Sequence, residues 1–108
     1  MGIAHNTPEQ IVGEYIHRQF SFYNDLDIAG GDTLTGDPYV TVGSDTLSID
    51  DVAINDAAVD VNGVSRPIGT TVTIATSATA AGTFQIDIQC DTSNGDTLKG
   101  RGFIKFVV

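Results

Sequence analysis

The chain predicts an all-β fold, an antiparallel β-sandwich of about seven or eight strands, and three observations predict it. Residues 82–91, Gly-Thr-Phe-Gln-Ile-Asp-Ile-Gln-Cys-Asp, alternate apolar and polar without a break, then meet Thr-Ser-Asn-Gly-Asp and a second strand-like run. Gly, Thr, Val and Ile are abundant while only 18% of the 108 residues are charged, a mixture that suits pleated, half-buried surfaces and argues against disorder or a helical bundle. Turn signals also recur at the spacing that short sandwich strands require. A chain of this length buries one core, so residues 15–108 are expected to form a single domain preceded by an arm over 1–14.

The arm opens with Thr7-Pro8-Glu9-Gln10, which carries the marks of a helix start: Thr7 as N-cap, Pro8 at the first helical position and Gln10 closing a capping box. A turn or two of helix to about Gly13, or an extended arm, is the expectation, and either is too short to fold alone and must dock. Ile16, Arg18, Phe20 and Phe22 then alternate with Tyr15, His17, Gln19, Ser21 and Tyr23 as the first long strand. Asn24 to Asp32 is a turn-rich link ending in Gly30-Gly31, Thr33 to Thr35 begins a second short strand, and Tyr39 to Gly43 gives a third. Leu47 and Ile49 have the opposite parity to Val52 and Ile54, so Asp50-Asp51 is expected to hold a bulge or a bend. Val59 to Ser65 centres on Asn62-Gly63 as a short hairpin, with Pro67 barring a central position beyond it. Val72 and Ile74 mark the strand that precedes the small-residue link from Ser77 to Gly82.

The register of the last hairpin follows from parity. Phe84, Ile86, Ile88 and Cys90 share one side of the first strand, and Leu98, Ile104, Phe106 and Val108 share one side of the second. A two-residue loop at Asn94-Gly95 pairs even with odd positions and turns the two apolar sets apart. A three-residue loop, Ser93-Asn94-Gly95 with Gly95 left-handed, pairs even with even and keeps one dry face. It sets Thr92 opposite Asp96, Cys90 opposite Leu98, Gln89 opposite Lys99 and Asp87 opposite Arg101. An opposite-charge pair across strands contributes roughly 0.2 to 1 kcal/mol. Phe103 and Val107 then lie on the polar side, and together with Ile11 of the arm and Tyr15 at the start of the domain they are the candidate contacts to another chain.

Formal charge is -9, from fourteen Asp and Glu against five Lys and Arg, which repels nucleic acid and anionic membranes and keeps a concentrated protein soluble. Cys90 is the only cysteine, so an internal disulfide and a cysteine zinc site are excluded, and its inward parity makes it a core thiol. The first residues lack the basic start and apolar run of a signal peptide, and no stretch has the length of a membrane span, so a soluble product made in the cytoplasm is expected.

Motifs for chemistry are sparse. Asp25, Asp27 and Asp32 around Gly30-Gly31 are weak metal candidates: carboxylates at alternate positions before a glycine can wrap calcium, but Ala29 takes a ligand position and Gly36 stands where a bidentate Glu is needed. Asp45, Asp50, Asp51, Asp56 and Asp60 have no ligand spacing. His5 and His17 are the only imidazoles and neither sits in a nucleophile motif; phosphate-loop, Gly-x-Ser-x-Gly and paired-histidine motifs are missing from the sequence. Neither an enzyme nor a bound cofactor is expected. Tyr23 and Tyr39 are the aromatic residues a glycan platform could use.

The order of five segments carries a resemblance: Phe20-Ser-Phe-Tyr-Asn-Asp-Leu26, Gly31-Asp-Thr-Leu34, Ala81-Gly-Thr-Phe-Gln-Ile-Asp-Ile88, Thr92-Ser-Asn-Gly95 and Gly102-Phe-Ile-Lys-Phe-Val107. In that order, along a chain of this size, they resemble small tailed-phage virion proteins of the fibre-to-tail adaptor or Ig-like head and neck decoration type. The chain departs from them in having no Trp and in an Ala- and Thr-rich link before Gly82. The resemblance implies an Ig-like sandwich and a non-enzymatic structural protein that bridges or decorates other virion subunits in a symmetric, multi-copy assembly. It leaves tail adaptor and capsid decoration both open. The alternative is a calcium- or glycan-binding sandwich module at an extracellular surface.

Overall fold

The computed structural model describes residues 8–108 and is an all-β sandwich, with no α-helix among them. Nine strands follow one another: β1 (Glu9–Ile11), β2 (Ile16–Ser21), β3 (Leu34–Val42), β4 (Leu47–Ile54), β5 (Val59–Val61), β6 (Val64–Arg66), β7 (Thr71–Ala78), β8 (Gly82–Thr92) and β9 (Thr97–Val107). They form a four-stranded sheet in the order β1-β9-β8-β3, a three-stranded sheet β2-β7-β4, and a separate β5-β6 hairpin.

The β8–β9 pairing has the register that parity demands. Cys90 faces Leu98, Gln89 faces Lys99 and Asp87 faces Arg101, and the Ser93-Asn94-Gly95 loop carries Gly95 at φ +89°. Thr92 and Asp96 close the loop, with the Thr92 amide donating to the Asp96 carbonyl at 2.8 Å. Ile86, Ile88, Cys90, Ile104 and Phe106 are consequently buried against Phe20, Phe22, Val72 and Ile74 of the opposing layer. Phe84 and Leu98 are half-buried, and the Phe84 and Phe106 rings meet at 5.8 Å with a 46° tilt. Each fully buried aliphatic or phenyl side chain contributes about 1.5–3 kcal/mol of transfer free energy. Val108 follows β9 and is exposed, unlike the even positions before it.

Several elements differ in extent from the sequence expectation. Thr33–Thr35 and Tyr39–Gly43 are not two strands: they merge into β3, whose pairing with β8 skips between Thr35 and Tyr39 across Gly36-Asp37-Pro38. Gly36 at φ +71° and Pro38, which has no amide to donate, explain the interruption. The parity change at Asp50-Asp51 is a bulge inside β4, with Asp51 at φ +53°. Asn62-Gly63, both at positive φ, make the two-residue turn of the β5-β6 hairpin. The central strand β7 is mostly buried although Thr70, Thr71 and Thr76 at or near it are polar.

The helix expected to run to about Gly13 does not form. Glu9–Ile11 instead pair in parallel with Lys105–Val107, and the capping position Thr7 lies outside the described residues. A capping box gains one or two local bonds, whereas the extended arm satisfies the open edge of β9 and buries Gln10. That Gln10 amide is fully used: its Nε2 donates to the Glu14 carbonyl (2.9 Å) and the Thr76 carbonyl (2.7 Å). Its Oε1 accepts from the Thr76 hydroxyl (2.8 Å) and the Arg18 guanidinium (3.2 Å). One side chain of the four-stranded sheet thus binds the middle of the three-stranded sheet.

Asn55 performs the same service for the hairpin excursion. Its Nδ2 donates to the carbonyls of Ala57 (2.9 Å) and Pro67 (2.8 Å), and its Oδ1 accepts from the amides of Thr70 and Thr71, each at 3.0 Å. Both ends of the β5-β6 loop are thereby tied to the start of β7.

Gln10→Ala is expected to lower stability by roughly 1–3 kcal/mol, because it removes the four hydrogen bonds that this buried amide makes. Urea unfolding gives the loss, and hydrogen exchange should show the Val12 amide, which donates to the Val107 carbonyl at 2.8 Å, opening well before the β8–β9 ladder.

Candidate functional site

The outward face of the four-stranded sheet collects the groups with chemistry to offer. Odd positions of β9 point there: Thr97, Lys99, Arg101, Phe103, Lys105 and Val107, with Phe103 opposite Gln85 and Lys105 opposite Thr83. Three of the chain's five Lys and Arg residues therefore stand on one strand face. Two of these cations are paired. Arg101 Nε donates to Asp87 Oδ1 at 2.8 Å, Gln85 Nε2 donates to Asp87 Oδ2 at 2.9 Å, and Lys105 Nζ lies 3.8 Å from Glu9. Lys99 makes no ion pair among the described residues.

Towards β3 this face holds a shallow hollow of about 550 Å³. Its walls are two rows across three strands, Tyr39-Gln89-Lys99 and Thr41-Asp87-Arg101, and its floor is the backbone of Ile88 and Gly100. Tyr39 is 65% exposed, so its ring stands free beside amide, carboxylate, ammonium and guanidinium groups. Such a surface can stack against a ring and hydrogen-bond its substituents.

The four residues expected at an interface are placed in two groups. Ile11 and Val107 are direct neighbours in the parallel β1–β9 pair, with Ile11 53% exposed and Val107 half-buried. Phe103, 41% exposed, shares their sheet face two outward positions away, with Lys105 between. Tyr15 is elsewhere. It sits just before β2, where its hydroxyl donates to Asp51 Oδ2 at 2.9 Å and its ring meets His17 edge-on at 5.6 Å. His17 Nε2 lies 3.5 Å from the same carboxylate oxygen. The bond to Asp51, aided by the neighbouring negative charge, raises the Tyr15 phenol above its ordinary value.

Two of the three candidate metal aspartates, Asp27 and Asp32, have side-chain bonds that serve the fold. Asp32 is buried, and its Oδ1 accepts from the Ser93 hydroxyl (2.9 Å) and the Asn94 amide (3.1 Å), fastening the tip of the β8–β9 hairpin. Asp27 accepts from the Gly30 amide at 3.1 Å as the cap of a 3-10 turn, and Asp25 is exposed. Among the described residues no group of three or more His, Cys, Asp or Glu is placed to hold a metal ion. His5 lies outside the described residues. Cys90 is packed in the core, where burial pushes its thiol up to about 11.

Sequence parity located Phe103, Val107 and the Asp87–Arg101 pair, but two features went unread. The Tyr39 row needs the β3–β8 register, which the bulge at 36–38 conceals, and the clustering of cations on β9 was signalled by the odd numbers of Lys99, Arg101 and Lys105. Comparison with protein-family models, curated proteins and solved structures finds no match to this chain.

The Arg101 hydrogen bond, assisted by Gln85, holds the Asp87 carboxyl below the usual carboxylate range. A depressed carboxyl contributes stability above its unfolded value and loses that contribution as pH falls through the folded value. Arg101→Gln is therefore expected to move the Asp87 carboxyl, followed by NMR titration, back up toward the ordinary range and to flatten this part of the acid dependence.

Proposed function

We propose that this chain is an Ig-like, non-enzymatic structural protein of a tailed-phage virion, bridging or decorating other virion subunits as a tail or fibre adaptor or a capsid decoration protein. The observation that carries the proposal is the outward face of β9, where Phe103, Val107 and the neighbouring Ile11 offer apolar anchors among charged rim residues. Apolar centres with polar rims are the usual composition of protein contacts. The resemblance of the ordered segments to small virion proteins supports the setting, and a sandwich fits the mechanical task of holding partners at fixed spacing. In this role the protein acts in the virion, after synthesis in the host cytoplasm, in many symmetric copies.

Substituting Phe103→Ser together with Val107→Ser is expected to leave the fold intact and reduce incorporation into particles several-fold, measured by quantitative mass spectrometry of purified virions. Incorporation equal to the parent chain rejects this surface.

A second role is favoured by one feature, the exposed Tyr39 ring beside Gln89, Lys99 and Arg101. It suits the glycan half of the alternative, a carbohydrate-binding module at an extracellular surface, better than the calcium half, because Asp32 is already engaged by the hairpin tip. Glycan-array binding that disappears in Tyr39→Ala is the expected result for that role, and a blank array removes it.

A further inference from the structure

We propose that the hollow bounded by Tyr39, Gln89, Lys99 and Arg101 binds a neutral pyranose sugar, with the apolar face of the sugar on the Tyr39 ring and its hydroxyls on the polar side chains around it. The inference rests on the glycan-binding role above and deepens it, naming the class of sugar and the residues that select it.

Size, polarity and charge together select that occupant. The volume of about 550 Å³ falls within the roughly 300–1,000 Å³ of small-ligand sites. Tyr39 supplies the one ring, and its neighbours Thr41, Asp87, Gln89, Lys99 and Arg101 are all polar, so a lipid or other wholly apolar ligand finds no second wall. The apolar anchors Phe103, Val107 and Ile11 lie on the far side of the Asp87–Arg101 row, so Tyr39 is not part of that cluster. Charges in and beside the hollow balance: Lys99 and Arg101 are answered by Asp87 and by Asp91, the next outward residue of β8. An anionic ligand therefore gains little there and is repelled by a chain of formal charge -9, while a cation meets Lys99 and Arg101. An uncharged molecule with one apolar face and a rim of groups that both donate and accept matches all of this, and a pyranose is built that way.

The polar groups are also free to bond it. Among the described residues the Gln89 amide, the Lys99 ammonium and the hydroxyls of Tyr39 and Thr41 take no side-chain hydrogen bond or ion pair. Arg101 spends only its Nε, on Asp87 Oδ1 at 2.8 Å, which leaves both terminal guanidinium nitrogens for a ligand. Gln85 holds the other oxygen of Asp87 at 2.9 Å from outside the hollow, so the carboxylate is clamped on both sides and Arg101 is set before a sugar arrives. Gln85 is thus a positioning residue that acts through Asp87, and the fixed guanidinium has less freedom to lose on binding.

NMR titration of the full chain tests this, with the methyl glycosides of glucose, galactose, mannose and N-acetylglucosamine as neutral probes and glucuronic acid and N-acetylneuraminic acid as charged ones. At least one neutral sugar should shift the backbone amides of Gln89, Lys99, Gly100 and Arg101 with a Kd of about 0.1–1 mM, the strength of one stacked ring and a few bonds. The charged sugars should bind at least about tenfold more weakly. Tyr39→Ala should cost at least about tenfold in affinity, whereas Tyr39→Phe, which keeps the stacking ring, should stay within about threefold of the parent. Gln85→Ala should weaken binding about threefold and raise the Asp87 carboxyl titration with the parent's thermal unfolding kept, a pairing that a merely structural role does not give. Neutral binding that survives Tyr39→Ala, or charged sugars that bind better than neutral ones, overturns the inference and leaves the glycan role standing. So does the absence of any shift when a glycan array still shows binding that depends on Tyr39. No shift together with a blank array removes both, and an affinity that Gln85→Ala leaves unchanged overturns the positioning by Gln85.

Discussion

Everything on the four-stranded sheet depends on the odd number of residues in the β8–β9 connection. With three residues, and Gly95 free to adopt its left-handed φ, even positions of both strands share one side and odd positions the other. One loop length thus decides at once that Ile86, Ile88, Ile104 and Phe106 meet the opposing layer and that Lys99, Arg101, Phe103 and Val107 do not. Asp32 reinforces the choice from outside the hairpin by holding Ser93 and Asn94, so core and candidate contact face have the same origin.

Apolar packing alone does not fix how the excursions attach to the two sheets. Two buried primary amides do. Gln10 and Asn55 each use two donors and two acceptor sites, and each joins segments that chain order leaves apart: the arm with β7, and both ends of the hairpin loop with β7. Because a half-satisfied amide in such a place is costly, these residues specify geometry as much as they stabilise it. Both reach the central strand of the three-stranded sheet, and the hydroxyl that Gln10 takes there explains why a buried strand carries Thr76 where an aliphatic residue is the default.

Legibility in the sequence tracked the range of the cause. The β8–β9 register, the Asn62-Gly63 turn and the Asp50-Asp51 bulge are local consequences of period-two patterning and turn chemistry, and the residues announced them. The Thr7-Pro8-Glu9-Gln10 segment announced a helix because its capping signal is also local, yet residues 9–11 answer to a strand edge nearly a hundred positions away. Tyr15 follows Ile11 closely in the chain, but Asp51, at the bulge of β4, holds its hydroxyl on the other sheet. Of the candidate face, Phe103 and Val107 could be read from parity, whereas the Tyr39 row required knowing where β3 resumes after Pro38.

The placement of Cys90 carries a consequence for how any assembly is held. The sole sulfur able to form a disulfide is sealed between the sheets and kept protonated at neutral pH, so oxidation has no route to cross-link neighbouring copies. No disulfide through Cys90 therefore joins one folded copy of this chain to another.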